Sequence, residues 1–277
     1  QTVFHRPPVS WQLMNPWPIA TAAQCPVVYD MRGADLAARG QGAPITPLAD
    51  WVLFRDAAKS RAIVNLGGFC NISMVPGGGA ETIPAIRGFD ACVCNQLLDA
   101  VARRALDVPY DDGGVAALAG APVSDAVTEL RAALLAQRAA GRSLGTGDET
   151  VGWIDRWQGQ LTPSDLAASA ASAIGSAIGE LARGADEVIL AGGGAHNMAL
   201  VRAIGASAGS RPQTTGALGI PSSFREAAAM AVLGVLCADA VPITLPHITG
   251  APTPAPIAGA WIFPSGPCPT FPTDRTF

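Results

Sequence analysis

The chain has 277 residues, of which 49% are apolar and 14% charged, and its formal net charge is −4. That length holds one large domain or two lobes with cores of their own, and the composition excludes intrinsic disorder. The acidic balance, with arginines scattered and none interleaved with aromatics, excludes a basic nucleic-acid surface.

Residues 1–32 read as short strands separated by proline, at Thr2–His5, Trp11–Met14 and Val27–Asp30. The first residue is Gln1, already in a strand-like run, so the chain is expected to start partway through a longer unit; the sequence given shows no signal-peptide pattern. Gly40-Gln41-Gly42-Ala43-Pro44 is a connection into a helix around Leu48–Phe54. Ala62–Val64 and Asn71–Val75 then flank a turn at Gly67-Gly68. Without Cβ atoms, that turn lets an anion such as phosphate approach backbone N–H groups; an ordinary tight turn is the alternative.

Gly77–Gly79 is a loop, and Leu97, Leu98, Val101 and Ala105 give helical spacing over Gln96–Leu106. Val127–Ala139 is a helix with Leu130, Leu134 and Leu135 on one face, followed by a loop over Gly141–Gly147. Thr162-Pro163-Ser164-Asp165 is a helix start, with threonine as cap, proline at the first position and an acid in the first turn. The helix it begins, Leu166–Leu181, contains Gly175 and Gly179, which permit close packing on a sheet. Glu187–Ala191 is a strand that runs into a second cluster, Gly192-Gly193-Gly194, and Met198–Ile204 is the next helix. Ser222–Ala238 reads as a buried helix whose apolar run, Ala227–Ala238, is too short to span a bilayer. After Pro242 a proline-rich segment is expected to cover a surface. Alternating strands and helices from residue 60 to residue 240 predict an α/β architecture with helix-covered sheets.

The six cysteines include one close pair, Cys92 and Cys94, and the three histidines have no metal spacing. These cysteines read as free thiols in a reducing compartment.

Four polar residues could carry chemistry. Asp30 follows an apolar strand and could be a general base, or a turn residue paired with Arg32. Asp90, after Gly88-Phe89, could hold Mg²⁺ through water from a strand end, or make an Asx turn. Glu226 could bind a substrate hydroxyl or simply favour the helix N-terminus it begins. Asn197 could meet a nucleotide or cap its helix. Together they favour a phosphate-handling cleft between two lobes.

His5-Arg6-Pro7, Tyr29-Asp30-Met31-Arg32, Gly40 to Pro44, Asn65 to Ser73, Gly88-Phe89-Asp90, Pro109-Tyr110-Asp111, Gly192 to Asn197, Gly219-Ile220, Glu226-Ala227 and Ile248 to Ala251 occur in a telling order. This order resembles the anhydro-N-acetylmuramic acid kinases from residue 1 to about Pro264. The resemblance implies a two-lobed RNase H-like fold of the actin/sugar-kinase type with the first lobe incomplete. Residues 1–58 would be the remainder of the N-terminal lobe and 59–240 the C-terminal lobe, with 241–266 a proline-rich return and 267–277 a tail.

The resemblance further implies a cytoplasmic, ATP- and Mg²⁺-dependent enzyme of peptidoglycan recycling. Such an enzyme opens the 1,6-anhydro bridge of its sugar and phosphorylates O6. Asp30 would be the catalytic base. Asn65, Gly67, Gly68, Asn71, Gly192, Gly193, Gly194 and Asn197 would bind ATP, and Arg32, Gln41 and Glu226 the sugar. Asp90 would hold Mg²⁺. The expected partner is a small anhydrosugar, with no nucleic acid or membrane, and homodimer formation is left open.

Several motifs depart from the family pattern. Its opening Met-Ser-Gly-Thr-Ser-x-Asp-Gly hairpin is not in the sequence, and its Asp-Thr-Gly-Pro-Gly-Asn loop reads Asp90-Ala91-Cys92-Val93-Cys94-Asn95. Gln-Ile-Gly-Asp becomes Gln12-Leu13-Met14-Asn15, and Arg39 replaces a glycine. The alternative reading is therefore an impaired or truncated relative that only binds sugar or nucleotide.

Overall fold

The computed structural model describes residues 2–264 apart from 140, 143, 146 and 149, so Cys268 and the expected tail over 267–277 lie outside the described residues. The chain forms two compact units, one from the residues before Thr46 and after Ala229, the other from Thr46–Ala229.

In the first unit, β1 (Thr2–Arg6) and β2 (Val9–Gln12) pair antiparallel, so the second strand starts earlier than the expected Trp11. An unforeseen helix, α1 (Trp17–Ala23), carries proline in its first turn, where a missing N–H costs nothing. After β3 (Val27–Tyr29) comes the short α2 (Gly33–Ala37). Its buried Asp35 accepts the Gly42 N–H (2.8 Å) and the Thr249 hydroxyl (2.8 Å), which fixes the Gly40–Pro44 connection.

The second unit opens with α3 (Pro47–Phe54). Three antiparallel strands follow, β4 (Arg61–Leu66), β5 (Phe69–Val75) and β6 (Arg87–Val93). Next come α4 (Asn95–Val101), extended by a wider turn over Ala102–Leu106, then α5 (Val115–Ala119), α6 (Ser124–Ala139), α7 (Val151–Trp157) and α8 (Pro163–Ala182). Thr162 caps α8 as the sequence predicts, its side chain accepting the Asp165 N–H. β7 (Glu187–Ala191) lies parallel to β4. After α9 (Met198–Ala208), β8 (Gln213–Thr214) lies parallel to β7. The sheet order is β6-β5-β4-β7-β8. A three-strand meander joined to two parallel strands by crossovers is the RNase H-like arrangement. The strict alternation expected from residue 60 is thus replaced by a meander followed by helices.

One sheet face (Val64, Leu66, Ile72) joins Leu130 and Leu134 of α6, Ile174 of α8 and Leu200 of α9 in the core. Gly175 and Gly179 face α9, not the sheet as expected: a Cβ at Gly179 would lie 2.7 Å from the Ser207 side chain.

A turn at Ser222–Phe224 leads into α10 (Arg225–Ala238), which is not buried all round. Only Arg225, Ala229, Leu233 and Cys237, one residue in every four, are buried, and Val235 is 60% exposed. An apolar run thus hides a single stripe. After α11 (Pro246–Thr249), β9 (Ala260–Ile262) pairs antiparallel with β3, so the proline-rich return ends as a strand of the first unit. Among the described residues no helix is long and apolar enough to cross a membrane.

Candidate functional site

β4 and β7 are parallel neighbours in register Asn65↔Ala191, so their C-terminal ends emerge side by side. The crevice beyond such strand ends is where open α/β sheets take ligands. Both glycine turns lie there, and the second packs against Leu66, from which the first begins. Gly192 has φ +82°, and a Cβ on it would sit 2.7 Å from the Leu66 carbonyl oxygen. A Cβ on Gly194 would sit 2.7 Å from that of Leu66. Side chains would wedge the triplet away from the end of β4 and strain Gly192.

Asn65 flanks this junction, its Oδ1 3.1 Å from the position a Gly192 Cβ would take. Asn71 lies opposite Asn65 on β5, and Asp90 opposite Asn71 on β6. The three half-buried residues form a polar row across the meander. Asp90 is therefore inside β6 and not at a strand end as expected, and its Oδ2 accepts the Leu144 N–H (2.8 Å). Among the described residues no three His, Cys, Asp or Glu side chains cluster to hold a metal.

The first amides of α4 meet the hairpin. Cys94 and Gln96 donate to the Gly68 carbonyl (2.9 and 3.3 Å), and Asn95 donates to that of Gly67 (3.0 Å). Cys92, Val93 and Cys94 are core residues. Burial pushes the Cys92 thiol well up and that of Cys94 to about 12, so both stay neutral. Cys25, Cys70, Cys92, Cys94 and Cys237 are free thiols, as the sequence predicts.

Beside the turns lies an open cavity of about 370 Å³, lined among others by Asn95, Asp99, Tyr110, Asp111, Gly193 and His196. Burial pushes the Asp99 carboxyl up, against the pull of Arg103. Asp111 accepts the Ala116 and Ala117 N–H groups (2.8 and 2.9 Å), capping α5. Asn197 also lines the cavity, and its Oδ1 accepts the Leu200 N–H (3.0 Å) as the cap of α9. The sequence assigns no role to Asn95 or Asp99, whereas Tyr110 lies in a motif of the family resemblance and His196 in the Gly192–Asn197 segment expected to border the adenosine. A further local signal is Asp111-Asp112-Gly113-Gly114, a turn sequence with both glycines at positive φ.

The first unit holds a second group. Asp30 directly follows β3, is exposed, has φ +51° and accepts the Gly33 N–H through Oδ1 (3.1 Å). Arg32 Nη1 donates to the Gly42 carbonyl (3.0 Å), and the Gln41 N–H donates to that of Thr249 (2.8 Å). The structure thus gathers Asp30, Arg32 and Gln41 around α2. Glu226 stands exposed in the first turn of α10.

Fold and site together define an RNase H-like α/β protein with paired glycine turns at the ends of parallel strands. The sequence profile of the anhydro-N-acetylmuramic acid kinase family matches residues 1–264. The chain is 34% identical to the anhydro-N-acetylmuramic acid kinase of Salinibacter ruber over 93% of its own length and 70% of that protein. It is 36% identical to that of Burkholderia ambifaria over 91% of its own length and 68% of that protein. A solved structure, the activator of the 2-hydroxyisocaproyl-CoA dehydratase from Clostridium difficile with bound ADPNP, overlaps it with a TM-score of 0.39 and 17% identity over 68% of each chain. The chain belongs to the anhydro-N-acetylmuramic acid kinase family, and so to the phosphotransferases.

Proposed function

We propose that this protein uses ATP to open the 1,6-anhydro bridge of 1,6-anhydro-N-acetylmuramic acid and phosphorylate the freed O6. The products are N-acetylmuramic acid 6-phosphate and ADP, a cytoplasmic step of peptidoglycan recycling. The packing of the Gly192–Gly194 turn against Leu66, where the Gly67-Gly68 turn begins, carries this reading, because two glycine turns at neighbouring strand ends offer backbone N–H groups that suit a nucleotide's phosphates. Asn65, Gly67, Gly68 and Asn71 would receive the phosphates, and Gly192–Gly194 with Asn197 and the adjoining cavity the adenosine. Arg32, Gln41 and Glu226 would hold the sugar.

In the chemistry proposed, water attacks the anomeric carbon and Asp30 takes its proton. The bond from that carbon to O6 breaks, and O6 then attacks the γ-phosphate, releasing ADP. Positioning supplies much of the acceleration in such a transfer. Mg²⁺ would neutralise charge on the triphosphate. One carboxylate beside an asparagine, Asp90 with Asn71, suits an ion that keeps waters and phosphate oxygens as its other ligands. A homodimer is compatible with this reading.

A second reading, a binder without turnover, is favoured by one observation. Cys92–Cys94 is core, where the family pattern has glycines. Incubating the protein with ATP, Mg²⁺ and the anhydrosugar separates the two. Equal yields of ADP and sugar 6-phosphate are expected, and Asp30→Asn should lower kcat about 10²- to 10⁴-fold. An unchanged rate in that variant removes Asp30 from its role, and tight nucleotide binding without product selects the binder.

A further inference from the structure

We propose that Asn95 is a positioning residue that holds the two glycine turns at the spacing a polyphosphate needs; the inference deepens the nucleotide reading above and rests on it. Asn95 is the first residue of α4 and meets both sides of the junction. Its backbone N–H donates to the Gly67 carbonyl (3.0 Å). Its Nδ2 donates to the Leu66 carbonyl (2.9 Å), at the point where β4 ends and the turn begins. Its Oδ1 lies 2.8 Å from where a Gly194 Cβ would stand, and its Nδ2 3.8 Å from the corresponding point on Gly193. One half-buried side chain therefore spans the hairpin turn and the glycine triplet, and it also lines the cavity.

The chemistry requires an amide. The Leu66 carbonyl needs a donor, while Oδ1 accepts from the Cys94 thiol (3.7 Å) and packs against Gly194. A carboxylate would set a negative oxygen against the Leu66 carbonyl, and it would add charge beside the triphosphate. Alanine would leave the Leu66 carbonyl without this donor and the two turns unlinked. Asn95 bonds the backbone at the hairpin turn and only lines the cavity, so its loss should harm binding of the phosphate tail more than that of the nucleoside.

The test compares a non-hydrolysable ATP analogue with adenosine by calorimetry, in the protein as it stands and in Asn95→Ala and Asn95→Asp. The analogue Kd should rise about tenfold or more, the size of one lost buried hydrogen bond, and clearly more than the Kd of adenosine. Hydrogen exchange at the amides of 66–68 and 192–194 should quicken in both variants without ligand. Unchanged analogue affinity with unchanged exchange overturns the proposal. Equal loss of both ligands with a lowered Tm also overturns it, since that marks a general structural role. If the unaltered protein binds no nucleotide, the functional reading fails and exchange alone decides: quickening at both turns sustains the clamp, and no change refutes it.

Discussion

Asp30 sits at positive φ, a conformation aspartate tolerates better than most residues, and its carboxylate lies directly against Gly33. A Cβ on Gly33 would collide with that carboxylate. Gly33→Ala should therefore push the carboxylate aside while leaving it ionisable. A displacement near 1 Å can cost about 10²-fold in rate, so kcat should fall by roughly that factor with both KM values nearly unchanged. Steady-state kinetics over both substrates checks this, and a full-rate variant would show that the carboxylate needs no fixed position. Asp30 itself was legible in the sequence, because an apolar run ending in a carboxylate announces a strand end. Its dependence on Gly33 was not, since it arises from the turn geometry. Asn95 was harder still: its contacts reach Leu66 and Gly194, and no local pattern encodes them.

At the scale of elements, β4 and β7 are tied at their N-terminal ends by charge. Glu187 accepts from Lys59 Nζ (2.6 Å) and Arg61 Nε (2.8 Å), while Arg61 also reaches Asp56 (3.1 Å). The Lys59 hydrogen bond, then that of Arg61, holds the Glu187 carboxyl below its ordinary value of 4.5. A depressed acid stabilises the fold above its unfolded pKa and loses that contribution as pH falls through the lower folded value. Stability should decline as the protein is acidified from about pH 5, and the decline should be shallower in Glu187→Gln. Urea titrations at pH 3.5 and 6 test the difference; parallel losses in both proteins would remove Glu187 from the account. These two strands were readable as compact apolar runs. β6 was legible only as a strand ending at Asp90, because Arg87-Gly88-Phe89-Asp90 lacks alternating apolar residues and its extent to Val93 is set by pairing with β5. The burial of α10 was misjudged for the opposite reason, since apolar content does not say which faces find partners.

Across the second unit as a whole, one ion pair joins its two chain ends. Arg225 Nη2 bonds the Asp50 carboxylate although 175 residues separate them, and both side chains are buried. Ser73 donates its hydroxyl to the same carboxylate oxygen (2.6 Å), and Thr46 accepts from Arg225 (3.3 Å). Charges taken out of water are costly, so the pair as a whole adds little stability over a well-packed apolar substitute. Removing one member is different, because it strands the other charge in the core. Arg225→Leu should cost about 3–5 kcal/mol, and adding Asp50→Leu should recover most of that loss. The single variant also fixes a sign. Burial pushes the Asp50 carboxyl up, and without Arg225 nothing of opposite charge opposes that push. A buried acid with a raised folded pKa stabilises the fold below its unfolded pKa and loses that contribution as pH rises. The Arg225→Leu penalty should therefore be larger at pH 8 than at pH 5, and the double variant should lose this extra pH dependence. Urea titrations of the three proteins at both values decide it. A double variant as unstable as the single one would mean that the pair holds the ends of this unit by more than mutual neutralisation.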